Sequence, residues 1–195
     1  FEEGTFRVAN SNKYMDIMEA ASAALAAGRN DLVSTEVETE IDDKSFPNGA
    51  HICEVEVDAE TGRVSVAKYT VVDDLGLLIN PVLAEGQVHG GVVQGIGQVV
   101  TEHVAFDDDG QLLTGTFMDY AMPRADNCPF IEFHSEPTFS VNNPLGMKGC
   151  GEAGTIGALA SVANAVLDAL ASKGVENVQI PLTPNRVWDL LREAA

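Results

Sequence analysis

Cysteine, basic charge and long apolar runs are all scarce in this sequence. Its three cysteines, Cys53, Cys128 and Cys150, are odd in number, widely spaced and form no Cys-x-x-Cys pair. That argues against a disulfide framework and against a Cys-rich zinc or iron–sulfur site, and it fits a reducing, cytoplasmic compartment. Only 11 Lys and Arg stand against 30 Asp and Glu, for a formal charge of -19. A surface so negative repels polyanions and anionic membrane faces, so nucleic acid is not an expected partner. The longest apolar stretches are interrupted by Asn164 and Asp168 or by Glu102 and His103, short of the roughly 20 residues that cross a bilayer, and no membrane span is expected. The chain opens on Phe1-Glu2-Glu3-Gly4 without an initiator Met, a basic stretch or an apolar stretch. It therefore reads as a piece of something longer, with no signal peptide.

What is present is ordinary globular material, 45% hydrophobic and 21% charged over 195 residues, enough to bury a sizeable core. Tyr14 to Ala27 predicts a short helix with Ile17, Ala20, Ala21 and Ala24 on one face, stopped by Gly28. Leu32 to Glu40 reads as β-like. His51 to Asp58 predicts a half-buried strand with Cys53, Val55 and Val57 opposite Glu54, Glu56 and Asp58, followed by a hairpin loop and a second strand from Arg63 to Asp73. Asn80-Pro81 resets the chain for a helix of about 20 residues ending near Val104. Two short strands are expected around Asp107-Asp108-Asp109-Gly110, another at Phe130 to Ser135, and a helix from Thr155 to Ala171 burying Ile156, Leu159, Ala160, Ala163, Leu167 and Leu170. Pro184 starts a last helix. Strands and helices neither alternate strictly nor segregate, so the expected class is α+β with mixed or antiparallel strands.

Two segments are candidates for chemistry. GMKGCGEAGTIG, residues 146–157, places five glycines in twelve residues directly before a helix. Such a main chain can approach a ligand closely, the helix start favours an anion, and Lys148 adds a cation. Glu152 would repel that anion unless aimed elsewhere, as a general base would be. A tight glycine turn with a solvated Lys and a Glu favoured by the helix dipole explains the same residues equally well. Gly149, Gly151 and Gly154 also fit GxGxxG, but the dinucleotide motif needs a hydrophobic strand directly before it, and Val141 to Leu145 is short and broken by proline. In the second segment, 86–98, Gln87, Gly91, Gln94 and Gln98 fall on one helical stripe. Each glycine inside a helix costs roughly 1 kcal/mol relative to Ala, so either a ligand or another backbone should approach closely there. His51 and His89 lack a second His or Cys at metal spacing and read as structural.

In order along the chain, SFPNGAHICEVEVDAETGRV (45–64), VVDDLGLLINPVLAEGQVHGGVVQGIGQ (71–98), GQLLTGTFMDYAMPRAD (110–126), NPLGMKGCGEAGTIGA (143–158) and PLTPNRVW (181–188) resemble the molybdenum hydroxylases. That family comprises xanthine dehydrogenases, aldehyde oxidases and aerobic carbon monoxide dehydrogenases, and the likeness is to the C-terminal portion of a carbon monoxide dehydrogenase-like large subunit. The resemblance implies a molybdenum-molybdopterin cofactor, cytosine dinucleotide in form, held by a pyranopterin dithiolene rather than by protein side chains. A 2Fe-2S centre and FAD would lie on partner subunits or domains. The family's Lys-Gly-x-Gly-Glu motif matches Lys148 to Glu152, which implies Glu152 as the catalytic base. Its Gly-Gln pair matches Gly86-Gln87, which implies a cofactor hydrogen bond from Gln87, with Gln94 a second choice. Lys148, Gly149 and Gly151 would face the cofactor. The implied partners are the remainder of the large subunit, the iron–sulfur and flavin subunits and a small-molecule substrate, which stays open among carbon monoxide, aldehydes and N-heterocycles. The upstream cofactor segments, and the loop that would carry a copper-binding Cys, have no counterpart here. A non-catalytic assembly domain of a split or truncated homologue is the alternative.

Overall fold

In the computed structural model the described residues, 1–38, 40 and 43–194, divide into two units, Phe1–Ile41 and Asp42–Ala195. The first is a two-stranded antiparallel ribbon, β1 (Thr5–Arg7) and β2 (Tyr14–Asp16), running into helix α1 (Ile17–Ala26). Tyr14–Asp16 was expected inside the helix. They extend instead because Asp16 is the cap: its carboxylate accepts from the Met18 N–H at 2.8 Å, while Glu19 reaches back to the Asp16 N–H, a capping box that fixes the start. Ala20, Ala21 and Ala24 are half-buried and Ile17 is exposed. The β-like stretch from Leu32 gives a single 3₁₀ turn at Asn30–Leu32 and no strand among the described residues, Thr39 lying outside them.

The second unit is built on a three-stranded sheet in the order β3 (Asn48–Val57), β4 (Val64–Asp74), β5 (Ile131–Ser135). β3 and β4 are antiparallel, as their hairpin loop requires, whereas β5 lies parallel to β4. The sheet is thus mixed, within the expected class: α2 (Pro81–Val100) carries the chain across before β5, and a crossover of that length permits the parallel arrangement. The register of β3 on β4 shifts between Glu54 and Val55, giving β4 one extra residue at Ala67. Such a bulge resets the period-two alternation, so Val66 and then Tyr69, Val71 and Asp73 are all buried.

Two helices cover this sheet's inner face. α2 is capped by the Asn80 side chain, which accepts from the Leu83 N–H at 3.2 Å, with Pro81 in the first turn. α3 (Ala153–Ala171) crosses α2 and also packs on β3. The buried row of α3 is Gly154, Ala158, Val162, Val166 and Leu170, one residue at every fourth position. The expected face is thus corrected: Ile156 and Ala160 are exposed, while Leu159, Ala163 and Leu167 are half-buried. The close crossing decides it, because the smallest side chains must sit where the backbones meet. By length and mean hydropathy, 1.4 over its apolar window, α3 is long and apolar enough to cross a membrane; in this fold Val162 and Val166 are fully buried in the core instead. Helix α4 (Pro184–Glu193) closes the unit with Val187 buried. Around Asp107–Gly110 a single bridge, Phe106 to Leu112, replaces the two expected strands.

Candidate functional site

The end of β4 organises the site. Asp74 is buried and gathers four donors: the Lys148 ammonium at 2.6 Å, the Gly76 and Thr138 N–H groups at 3.0 Å each, and the Asn48 side-chain amide at 3.4 Å. The Lys148 ammonium, above all, holds the Asp74 carboxyl well below the usual carboxylate range, against the opposing effect of burial. Lys148, expected to face a ligand with a free charge, therefore has its charge taken up by Asp74, with both side chains about nine-tenths buried at 11% and 9% exposure. Its backbone N–H also donates to Leu75 O at 3.0 Å. The glycine-rich loop is thereby pinned to the end of β4. At Gly76 the backbone is left-handed, φ 63°, and a Cβ there would overlap the Gly146 carbonyl, so no other residue fits the clasp.

From this anchor the loop runs into α3. Glu152 occupies the position before the first helical residue, is exposed, and makes no capping hydrogen bond with its side chain. It borders a cavity of about 450 Å³ together with Gly149, Gly151, His51 and Asp73. A neighbouring cavity of about 500 Å³, sharing Gly151, is lined by Gln87, Lys148, Cys150, Leu75, Leu77 and Leu78 ahead of α2, and Leu83 in its first turn. A Cβ added at Gly149 or Gly151 would meet open space, so nothing in this chain's own packing demands glycine at either. Gln87 donates through Nε2 to the Gly151 carbonyl at 2.8 Å, and Gln94 accepts from the Thr155 hydroxyl at 3.2 Å. The two expected amides thus clip the start of α3 onto α2, and Gln94 lines neither cavity. The α2 glycines divide: a Cβ at Gly91 would approach Thr155 N to 2.9 Å and one at Gly95 would approach Ala158 Cβ to 2.5 Å, whereas Gly86 and Gly90 face open space. Helix crossing explains the first pair. A further cavity, about 690 Å³ beside Arg63, Val100 and Pro184, holds none of the expected residues.

Under Glu152 lies a polar chain that sequence reasoning missed. Register places Gly49 opposite Asp73, His51 opposite Val71 and Cys53 opposite Tyr69, one face of the sheet turned to α3. His51 Nδ1 is 2.8 Å from the Tyr69 hydroxyl, which is 2.7 Å from Ser161 Oγ on α3, and His51 Nε2 is 3.4 Å from Asp73 Oδ1. The side chains of His51 and Asp73 are only 6% and 3% exposed. With the ring proton on Nε2 beside the carboxylate, Nδ1 accepts from the Tyr69 hydroxyl, and Ser161 Oγ, which also lies 3.4 Å from the Ala158 carbonyl, is that hydroxyl's other partner. Burial pushes the Tyr69 phenol up to about 12, so it remains a donor. Asp73 Oδ2 is buried with no hydrogen-bond partner, at a cost of about 1–3 kcal/mol or more. The signal was present in the alternation of β3: extended two residues back from Cys53, it puts His51 on the inner face.

Among the described residues no three His, Cys, Asp or Glu are grouped to hold a metal ion, and all three cysteines are free. Burial raises the Cys53 thiol to about 11 and raises Cys128 as well, which leaves them poor nucleophiles. Residues 141–145 before Gly149 form no strand, so the dinucleotide-turn reading fails on its own requirement.

Residues 1–129 match the molybdopterin cofactor-binding domain family. The chain is 46% identical over 142 residues to the nicotine 6-hydroxylase large subunit of Paenarthrobacter nicotinovorans, covering 73% of this chain and 17% of that protein. It is 38% identical over 149 residues to the carbon monoxide dehydrogenase large chain of Hydrogenophaga pseudoflava, covering 76% and 19%. The structure of quinoline 2-oxidoreductase from Pseudomonas putida 86 superposes with a TM-score of 0.86 at 37% identity, over 97% of this chain and 25% of that one. The chain thus spans about a fifth of the length of the curated relatives it matches. With its mixed helices and sheet, its matched residues and these relatives, the chain belongs to the molybdopterin cofactor-binding domain family of the molybdenum hydroxylases.

Proposed function

We propose that this chain forms part of the cofactor-binding wall of a molybdenum hydroxylase large subunit, with Glu152 as the general base of an oxidative hydroxylation. The observation that carries the reading is the exposed, uncapped Glu152 carboxylate at the edge of a cavity whose Gly149 and Gly151 have no packing reason to be glycine. Two cavities of about 450 and 500 Å³ share Gly151 in their walls, each within the range of ligand pockets, which supports room for a pterin-sized group. The molybdenum-pterin group supplies the two-electron redox chemistry. Glu152 takes the proton from the attacking oxygen at a carboxylate oxygen, with no capping bond competing for it. Gln87 holds the Gly151 carbonyl through Nε2, which leaves its Oε1 to accept from a ring N–H, and Gln94 steadies the first turn of α3 through Thr155. Lys148 serves by pinning the loop rather than by its charge, and Gly149 and Gly151 let the main chain come close to the ligand.

In this reading residues 1–195 are a portion of one cofactor-binding domain. The cofactor is the cytosine dinucleotide form, and the partners are the rest of the large subunit and chains carrying 2Fe-2S and FAD, in the cytoplasm. Support for a multichain assembly comes from the relatives, which are named as a large subunit and a large chain. The test is Glu152→Gln in the assembled enzyme. Turnover is expected to fall about 10²–10⁴-fold with molybdenum and releasable CMP still stoichiometric. Near-normal turnover removes Glu152 from the base role; an assembly without molybdenum or CMP makes the chain a non-catalytic assembly domain.

A further inference from the structure

Asp73 has more acceptor capacity than the protein uses. One carboxylate oxygen has no partner, and the other meets His51 Nε2 at 3.4 Å, longer than a well-formed N–H···O bond. The His51 side of the network supplies no second donor, because Nε2 is the ring nitrogen near Asp73 while Nδ1 is engaged with the Tyr69 hydroxyl. On the opposing strand the residue in register is Gly49, and a Cβ there would overlap Asp73 Oδ1. Strand β3 thus lays no side chain over the carboxylate. The torsion that turns a carboxylate is broad and two-fold, so either oxygen can face the cavity that Asp73 lines. Around it stand Pro47, Ala153 and the exposed Ile156, with Gly149 and Gly151 leaving room, while Gly157 makes way for the His51 ring. The result is a slot with largely apolar and glycine walls over an unmet acceptor, and both of its ionisable acids, Asp73 and Glu152, disfavour an anion.

We infer that Asp73 anchors a ligand subsite that takes a planar heterocycle presenting an N–H or amino group. Two sources carry that chemistry: the amino-bearing edge of the bound pterin, or a free heterocycle that is substrate or product. A site built around a buried acceptor selects strongly against the analogue that lacks the donor, because the acceptor is then left unpaired. The inference does not rest on Glu152 being the base.

The probes are 2-aminopyrimidine and pyrimidine, titrated calorimetrically into the full assembled enzyme, both cofactor-loaded and cofactor-free. The expected result is at least tenfold tighter binding of 2-aminopyrimidine. Preference in both forms identifies a free heterocycle as the natural occupant, and preference in the cofactor-free form alone identifies the pterin. Equal affinity of the two probes in both forms overturns the inference without any variant. In Asp73→Asn, His51 Nε2–H claims the amide oxygen and turns the NH₂ group towards the ligand's own donor, so the preference is expected to drop below twofold; its survival there overturns the assignment. Glu152→Gln, which keeps Asp73, is expected to retain it. Loss in that variant would move the anchor to Glu152 and overturn the inference, whereas failure of the base reading shows separately as normal turnover.

Discussion

At the scale of single residues the site is a set of carboxylates given different work by their surroundings. Asp74 is saturated, with Lys148, Gly76, Thr138 and Asn48 all donating to it. Asp73 is under-supplied, and Glu152 is exposed and unengaged by its helix. Lys148 could not have been read as a structural cation from its neighbours in sequence, since its partner lies 74 residues away. Lys148→Met would leave a buried carboxylate uncompensated and is expected to cost about 3–5 kcal/mol in urea unfolding at pH 7; Asp74→Leu added to it should recover part of that loss. The pair also fixes an acid limb. Because the folded carboxyl is held below its unfolded value, its contribution is fully present above about pH 4 and is lost as pH falls further toward the depressed folded value. Stability measured from pH 5 to 2 should therefore fall less steeply in Lys148→Met than in the natural chain. An unchanged slope would mean that Lys148 does not set that carboxyl.

At the scale of elements, α2 carries two kinds of glycine. Gly91 and Gly95 admit α3, where a Cβ would meet the Thr155 backbone N at 2.9 Å and the Ala158 Cβ at 2.5 Å respectively, whereas Gly90 stands over open space on the same helix. Overpacking costs about 1–3 kcal/mol, and replacing a helical glycine by alanine returns about 1 kcal/mol. Gly95→Ala is therefore expected to lower the thermal midpoint and Gly90→Ala to raise it, and equal effects of the same sign would rule out the crossing as the reason for Gly95. The amide stripe expected from spacing is real in that Gln87 and Gln94 both reach the start of α3. What spacing could not say is that they hold protein rather than open ligand space. The buried row of α3 was misplaced for a related reason. Apolar periodicity marks every face that touches something, and α3 touches both α2 and β3, so the composition of the helix did not single out Gly154 and Ala158 as the seam.

At the scale of the whole molecule, this chain covers 17% and 19% of its curated relatives and leaves Phe117, Met118, Phe130 and Val82 between 78% and 91% exposed. Such apolar exposure on a chain of charge -19 fits a segment completed by other parts of a larger subunit. Expressed alone, these 195 residues are expected to hold far less than one molybdenum per chain, and the full-length subunit in its assembly about one, as read by metal analysis; equal content in both would place the whole cofactor site on this segment. The sequence by itself determined the β3–β4 hairpin, the start and approximate length of α2, the start of α4 at Pro184 and the candidacy of Glu152, because these depend on local alternation, turn chemistry and neighbouring motif residues. Tertiary structure alone decided the ion pair of Lys148, the seam of α3, the parallel β5 and the Ser161–Tyr69–His51–Asp73 chain. Each of these joins residues far apart along the chain, and such contacts exist only once strand register and helix crossing have been set.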